Sequence, residues 1–194
     1  MTFTTLDPRT ALVVVDLQAG ILAAPVRPVD ATDVLARSTA LAAAFRARDL
    51  PVVLVRVTAA PDGADAVSAR TDAARAAGPR PDRPAGWDVL APELHTAATD
   101  LVVTKRTWGA FYGTDLDLQL RRRGVTQLVL AGIATSMGVE STARSAHEHG
   151  YHLSLVTDAM SDRSADAHEH SVTRIFPLLG ETGTAAELLG LMTP

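Results

Sequence analysis

Apolar residues fall along this chain in short, unbroken runs separated by longer stretches with helical spacing. "ALVVVD" (11–16), "PVVLVRVT" (51–58), "DLVVTK" (100–105), "QLVLAG" (127–132) and "HLSLVTD" (152–158) are rich in Val and Leu, without strict alternation of apolar and polar positions. Runs of this length and character fit strands buried on both faces, which belong to parallel sheets covered by helices. The intervening segments predict helices near 31–48, 92–98, 114–123, 137–149 and 165–176. The third of these is well marked, with Thr114 expected as N-cap, Asp117 three residues on and Gly124 just beyond the end. A sixth short strand at "GETG" (180–183) and a last helix at "TAAELLGLM" close the pattern. The expectation is one three-layer α/β/α domain spanning residues 1–194, doubly wound in the Rossmann-like manner around a mostly parallel six-stranded sheet.

One segment breaks the rhythm. Residues 59–86, "AAPDGADAVSARTDAARAAGPRPDRPAG", hold almost no large apolar side chain and many Pro, Asp and Arg. A connection this long inside a compact domain serves either as a functional element, a lid or subunit contact, or as a solvated loop with one Ala-rich helical turn.

Composition narrows the function classes. A chain of 194 residues is the size of one domain, and 47% hydrophobic residues with only 4% aromatics points to aliphatic strands under Ala-rich helices. The net charge is -4 with the cations scattered, so no basic face is presented to nucleic acid or to an anionic membrane. The absence of cysteine removes disulfides, thiolate metal sites and thiol nucleophiles together. The start "MTFTTLDPRT" lacks a signal layout and no apolar run approaches a membrane span, so a cytoplasmic protein with a small-molecule substrate is expected.

Open parallel sheets place their chemistry at the carboxyl ends of the strands. Asp16 ends the first predicted strand, Lys105 ends the third, and the turn from Ala134 to Gly138 follows the fourth; all three should converge on one edge. Lys105 is the only lysine, against 17 arginines. A compact ammonium in place of a guanidinium fork suits a site that needs a point charge. Thr135 is the expected N-cap of the following helix, whose first N–H groups would face an anion. Ser136, Ser141 and Thr142 are hydroxyl candidates, but no histidine is placed by sequence as their base. His147 and His149, like His168 and His170, are two apart and are expected on helix surfaces; neither pair has zinc-ligand spacing, so no metal site is expected. "RRR" (121–123) reads as a solvated helix end.

Taken together, "VVVDLQAGIL", "VVTKRTWGAFYGTDLDLQLRRRGVTQLVLAGIATSMGVESTARSAHEHGY" and "SLVTDAMSD" resemble the isochorismatase-like hydrolases, the cysteine hydrolase superfamily. That family has an Asp after the first strand, a Lys after the third and a Cys at the start of the helix after the fourth. Asp16 and Lys105 match, and the cysteine's place falls on Gly138. The resemblance implies backbone oxyanion donors at Ala134 and Gly138, a cis peptide between Ile133 and Ala134, and a homo-oligomer, dimer or tetramer, with 59–86 as a candidate contact. Nicotinamidases of the superfamily bind a metal through Asp and His after the second strand; "VRVTAAPDGA" at that place lacks the His, and neither metal nor cofactor is expected. True isochorismatases resemble this pattern while lacking the cysteine, and they cleave a vinyl ether with a proton donor and water. "GIATSMGVESTAR" looks closer to the amidase branch. The resemblance therefore implies a cofactor-independent hydrolase in which Asp16, with Lys105, serves as general acid/base on a vinyl ether or C–N bond. The alternative is a pseudoenzyme that binds a small molecule or partner in a retained pocket. Gln18, Ile21, Trp87, Trp108 and Phe111 are the expected pocket walls.

Overall fold

Six strands, β1 (Thr10–Val15), β2 (Val52–Val57), β3 (Leu101–Lys105), β4 (Gln127–Ile133), β5 (His152–Ser161) and β6 (Glu181–Gly183), form one sheet in the order β3-β2-β1-β4-β5-β6. Every neighbouring pair is parallel. The strand order reverses between β1 and β4, and sheets of this kind place their ligand sites beyond the carboxyl ends of the strands at such a reversal. The computed structural model describes residues 2–67, 69–77 and 83–192; Ser68 and residues 78–82 of the polar excursion lie outside the described residues.

The strands are buried because both faces of the sheet are covered. Successive residues of β1 serve opposite layers: Leu12 and Val14 pack with Leu41 and Phe45, whereas Val13 and Val15 pack with Leu116, Leu120 and Ala143. The helices are α1 (Ala19–Leu22), α2 (Ala31–Arg46), α3 (Asp72–Ala77), α4 (Leu116–Arg122), α5 (Glu140–Glu148), α6 (Ala165–His170), α7 (Phe176–Leu179) and α8 (Ala185–Leu191). Helix α3 is a fully exposed Ala-rich turn within the polar excursion.

Several predicted boundaries are corrected. The helix expected over 92–98 is a single 3-10 turn, Pro92–Leu94, closed by His95 in the left-handed region at φ 48°. Beyond it, the Ala97 N–H goes to Asp100, whose buried carboxylate is gripped by Arg46 through two hydrogen bonds of 3.0 and 2.7 Å. The tertiary clamp thus takes backbone that would have continued the helix. Thr114 precedes α4 by one residue more than an N-cap should; Asp115 holds that position, and Thr114 Oγ1 donates to the Ala110 carbonyl while accepting from the Leu116 N–H. Gly124 does lie just past the end of α4, at φ 66°. The helix expected over 165–176 runs further, as α6, a wide π turn at Ser171–Ile175, and α7.

One glycine decides how β4 leaves the sheet. Gly132, at φ 125°, lies so close to β1 that an added Cβ would stand 2.1 Å from the Val15 carbonyl oxygen. Pairing with β5 shifts here, from Leu130 opposite Leu155 to Gly132 opposite Met160, and the chain then passes through a cis peptide between Ile133 and Ala134. Replacing Gly132 by Ala adds both a backbone clash and a disfavoured φ, so Gly132→Ala should destabilise the fold by at least about 3 kcal/mol in a denaturant titration. A variant of unchanged midpoint would show that β1 and β4 do not approach this closely.

Candidate functional site

Asp16 is the first residue beyond β1 and stands in the left-handed region at φ 56°, which an Asp tolerates better than most residues. Its backbone is held in that bend by its N–H to the Val55 carbonyl and by the Gln18 N–H to its own carbonyl, both 2.9 Å. Lys105, the last residue of β3, reaches across to it: Nζ lies 2.7 Å from Asp16 Oδ2, with both side chains buried. Nζ also donates to the Trp108 carbonyl. The second carboxylate oxygen, Asp16 Oδ1, is buried without a hydrogen-bond partner among the described residues. Burial pushes the Asp16 carboxyl up to about 6, although the Lys105 ammonium pulls it down through its charge and its hydrogen bond.

Gly138 completes the group. A Cβ built on it would lie 3.1 Å from Asp16 Oδ2, 3.1 Å from Val15 Cγ1 and 3.2 Å from Lys105 Nζ. The three residues expected at one sheet edge therefore meet there, with the glycine's hydrogen-only face against the ion pair. Gly138 lies in a π turn, Thr135–Val139, that opens into α5, and the Val139 N–H reaches back to the Ala134 carbonyl at 3.1 Å. Wide turns of this kind recur at functional sites.

The turn is pinned from outside itself. Thr135, expected as N-cap, is fully buried and caps nothing; its Oγ1 donates to the Ser161 carbonyl at 3.0 Å and lies 2.8 Å from His168 Nδ1. The capping role falls to Asp162, just past β5, whose Oδ2 accepts the Ser136 N–H at 2.6 Å. Thr142, considered as a nucleophile, is buried in α5; its Oγ1 donates to the Gly138 carbonyl at 2.6 Å and accepts the Ala110 N–H at 3.1 Å. It thereby ties the loop after Lys105 to the turn. His168 is corrected from helix surface to interior: it is 7% exposed, and burial lowers its pKa against the opposing pull of Asp162 and Glu169.

The expected walls divide. Gln18 is fully buried, and its carboxamide is consumed by backbone, donating to the Val57 and Trp87 carbonyls and accepting the Val57 N–H at 2.8 Å. It braces the wall and offers no polar group to a ligand. Phe111 is a core residue, packed 5.0 Å from His149 and 6.1 Å from Tyr151, at the far end of α5 from Gly138. Trp108 is exposed, and it is its carbonyl that serves the site. Trp87 is half-buried and lies so close over Gly20 that a Cβ there would meet its ring at 1.9 Å, while Arg83 covers the ring at 4.2 Å. Ile21 is half-buried against the core. A cavity of about 420 Å³ lined by Leu22, Val26, Arg27, Pro28 and Asp30, among others, touches none of Asp16, Lys105 and Gly138. Among the described residues no three His, Cys, Asp or Glu side chains gather as a metal ion would require, and no helix is long and apolar enough to cross a membrane.

The sequence matches the family model described as the Isochorismatase domain over residues 10–187. YecD, an uncharacterised isochorismatase family protein of Escherichia coli O157:H7, is 45% identical over 185 residues, spanning 94% of this chain and 96% of that protein. An isochorismatase family protein structure from Burkholderia thailandensis superposes with a TM-score of 0.91 at 50% identity, covering 97% of this chain and 98% of that one. N-carbamoylsarcosine amidase from Thermoplasma acidophilum superposes with a TM-score of 0.74 at 26% identity, covering 91% and 96%.

The electrostatics of the pair carry a measurable sign. Because Lys105 lowers the Asp16 pKa and burial raises it, Lys105→Met should drive the Asp16 titration above its starting point near 6 when followed by the carboxyl 13C shift. An unchanged or lower midpoint would show that the ammonium does not act on that carboxylate.

Proposed function

Since the chain belongs to the isochorismatase family, we propose that it is a hydrolase of small molecules that works without a side-chain nucleophile, Asp16 acting as general acid/base beside Lys105. The observation that carries this reading is the buried Asp16–Lys105 pair against Gly138, with Asp16 Oδ1 unpartnered among the described residues. A carboxyl titrating near 6 is available in both protonation states around neutrality, which is what a group that alternately takes and gives a proton requires. Lys105 keeps the ionised form accessible and fixes the carboxylate's direction.

In the proposed reaction at a C–N bond, the oxygen of a water molecule bonds to the carbonyl carbon as its proton passes to Asp16 Oδ1. The C–N bond then breaks, and the same proton goes to the departing nitrogen. For a vinyl ether, protonated Asp16 delivers its proton to the terminal alkene carbon, and water adds to the carbon bearing oxygen while returning a proton to Asp16. The hemiketal's C–O bond to the leaving group then breaks as Asp16 protonates the departing oxygen and takes up the hydroxyl proton, leaving a ketone and an alcohol. Gly138, standing where the family's cysteine is expected, brings no side chain of its own against the pair. The oxyanion donors in this reading are the Ala134 and Gly138 N–H groups; those of Ser136, Met137 and Val139 already serve Asp162 and the Ala134 carbonyl.

Screening the purified protein against small amides, ureido compounds and vinyl ethers should reveal turnover that Asp16→Asn lowers by at least about 100-fold. Turnover insensitive to that substitution eliminates the acid/base role. Across the panel, ligand binding without turnover in the native protein supports the pseudoenzyme instead. Gly138→Cys provides an independent check on the turn: a thiol here would sit beside the Lys105 ammonium at the start of a helical segment, both of which favour the thiolate. It should react with iodoacetamide about tenfold or more faster than an exposed thiol, and a sluggish thiol would show that position 138 does not face the pair.

A further inference from the structure

His168 has no part in the proton transfers above, yet it is buried and, like Asp162, joined to the turn that carries Gly138. It stands on α6, and its Nδ1 lies 2.8 Å from Thr135 Oγ1. A threonine hydroxyl has one proton, and Thr135 spends it on the Ser161 carbonyl, which can only accept. The imidazole must therefore be the donor, with the proton on Nδ1. The other ring nitrogen makes no hydrogen bond among the described residues.

A second bond repeats the connection one turn further on. Ser171, at the start of the π turn after α6, donates from Oγ to Glu140 Oε2 at 2.6 Å, and Glu140 opens α5 directly after the turn at Thr135–Val139. Helix α6 and the π turn after it are thus joined at two points, through His168 and Ser171, to the turn Thr135–Val139 and the start of α5. On the site side, the turn that begins at Thr135 carries Gly138 against Asp16 and Lys105. We propose that His168 is a positioning residue for this site: by donating from Nδ1 to Thr135 Oγ1 it fixes the register of the turn Thr135–Val139 and so holds Gly138 against the Asp16–Lys105 pair. The proposal rests on the hydrolase reading only for its consequence in catalysis; the positioning itself can be read directly.

The decisive comparison is between His168→Asn, whose amide nitrogen can take the place of Nδ1, and His168→Gln, whose amide lies where Nε2 was and misses Thr135. In 1H–15N spectra, His168→Gln should shift the Ser136 and Gly138 amides, and His168→Asn should return both towards their native positions. Native long-range 15N spectra should show the ring with its proton on Nδ1. In the Gly138→Cys background, His168→Gln should slow alkylation by about tenfold while His168→Asn stays within about threefold. Ser136 and Gly138 amides that ignore His168→Gln, equal effects of the Asn and Gln variants, or a ring protonated on Nε2 would each overturn the assignment. The amide shifts report on His168 whether or not the thiol reacts. Turnover insensitive to Asp16→Asn would instead sink the hydrolase reading while leaving this one standing.

Discussion

A carboxylate and an ammonium meet at 2.7 Å between Asp16 and Lys105, in a place where neither side chain has appreciable access to solvent. Removing two such ions from water is unfavourable by several kcal/mol for each, and their attraction offsets this only when the geometry is good. The geometry here is fixed by the sheet. Asp16 and Lys105 leave the ends of β1 and β3, two strands apart with β2 between them, and the lysine's four-carbon stem spans the gap. The carboxyl nevertheless ends up near 6, so burial outweighs the lysine's pull and the pair is held in a state that titrates close to neutrality. A carboxyl in that range can both take and give a proton near neutrality, which is what the proposed reaction asks of it.

The remainder of the site follows from what must come close to that pair. Gly132 lets β4 pass against Val15 without a clash, and Gly138 lets the following turn lie against the ions themselves, where a methyl group would be tight on all three neighbours. The turn does not hold itself in place. Asp162 caps it, His168 and the Ser161 carbonyl grip Thr135, and Thr142 joins the Gly138 carbonyl to the loop that leaves Lys105. Groups from the end of β5, from α6 and from α5 thus converge on one five-residue turn, which is how a scaffold makes a short loop rigid.

Much of this was legible in the sequence, for identifiable reasons. Unbroken Val and Leu runs announced a buried parallel sheet, and in that architecture the residues closing the runs, Asp16 and Lys105, fall on the same edge. What escaped prediction depended on tertiary partners. Thr135 has the residue type and position of an N-cap, but its hydroxyl is turned inward by Ser161 and His168, and the cap comes from Asp162, 26 residues beyond the Ser136 whose N–H it accepts. Gln18 and Phe111 lie close in sequence to site residues, yet backbone carbonyls consume the one and the core absorbs the other. His168 looked like half of a surface pair because residues two apart point to different helix faces; its inward aim becomes apparent only once α6 packs on the turn at Thr135. The run "SLVTDAMSD", which carried part of the family resemblance, did contain Ser161 and Asp162, and that was the one available signal for the support of the turn.

In the proposed function a small molecule reacts at the Asp16–Lys105 pair, beside Gly138. A crystal structure of the protein soaked with small amides and vinyl ethers addresses it most directly, with Asp16→Asn used to slow turnover. The account predicts a ligand whose scissile carbon lies against Gly138, within reach of residue 16 and Lys105, with its oxygen on the Ala134 and Gly138 N–H groups. A ligand seated only in the cavity bounded by Leu22, Arg27 and Asp30, with the ion pair closed and untouched, would contradict it.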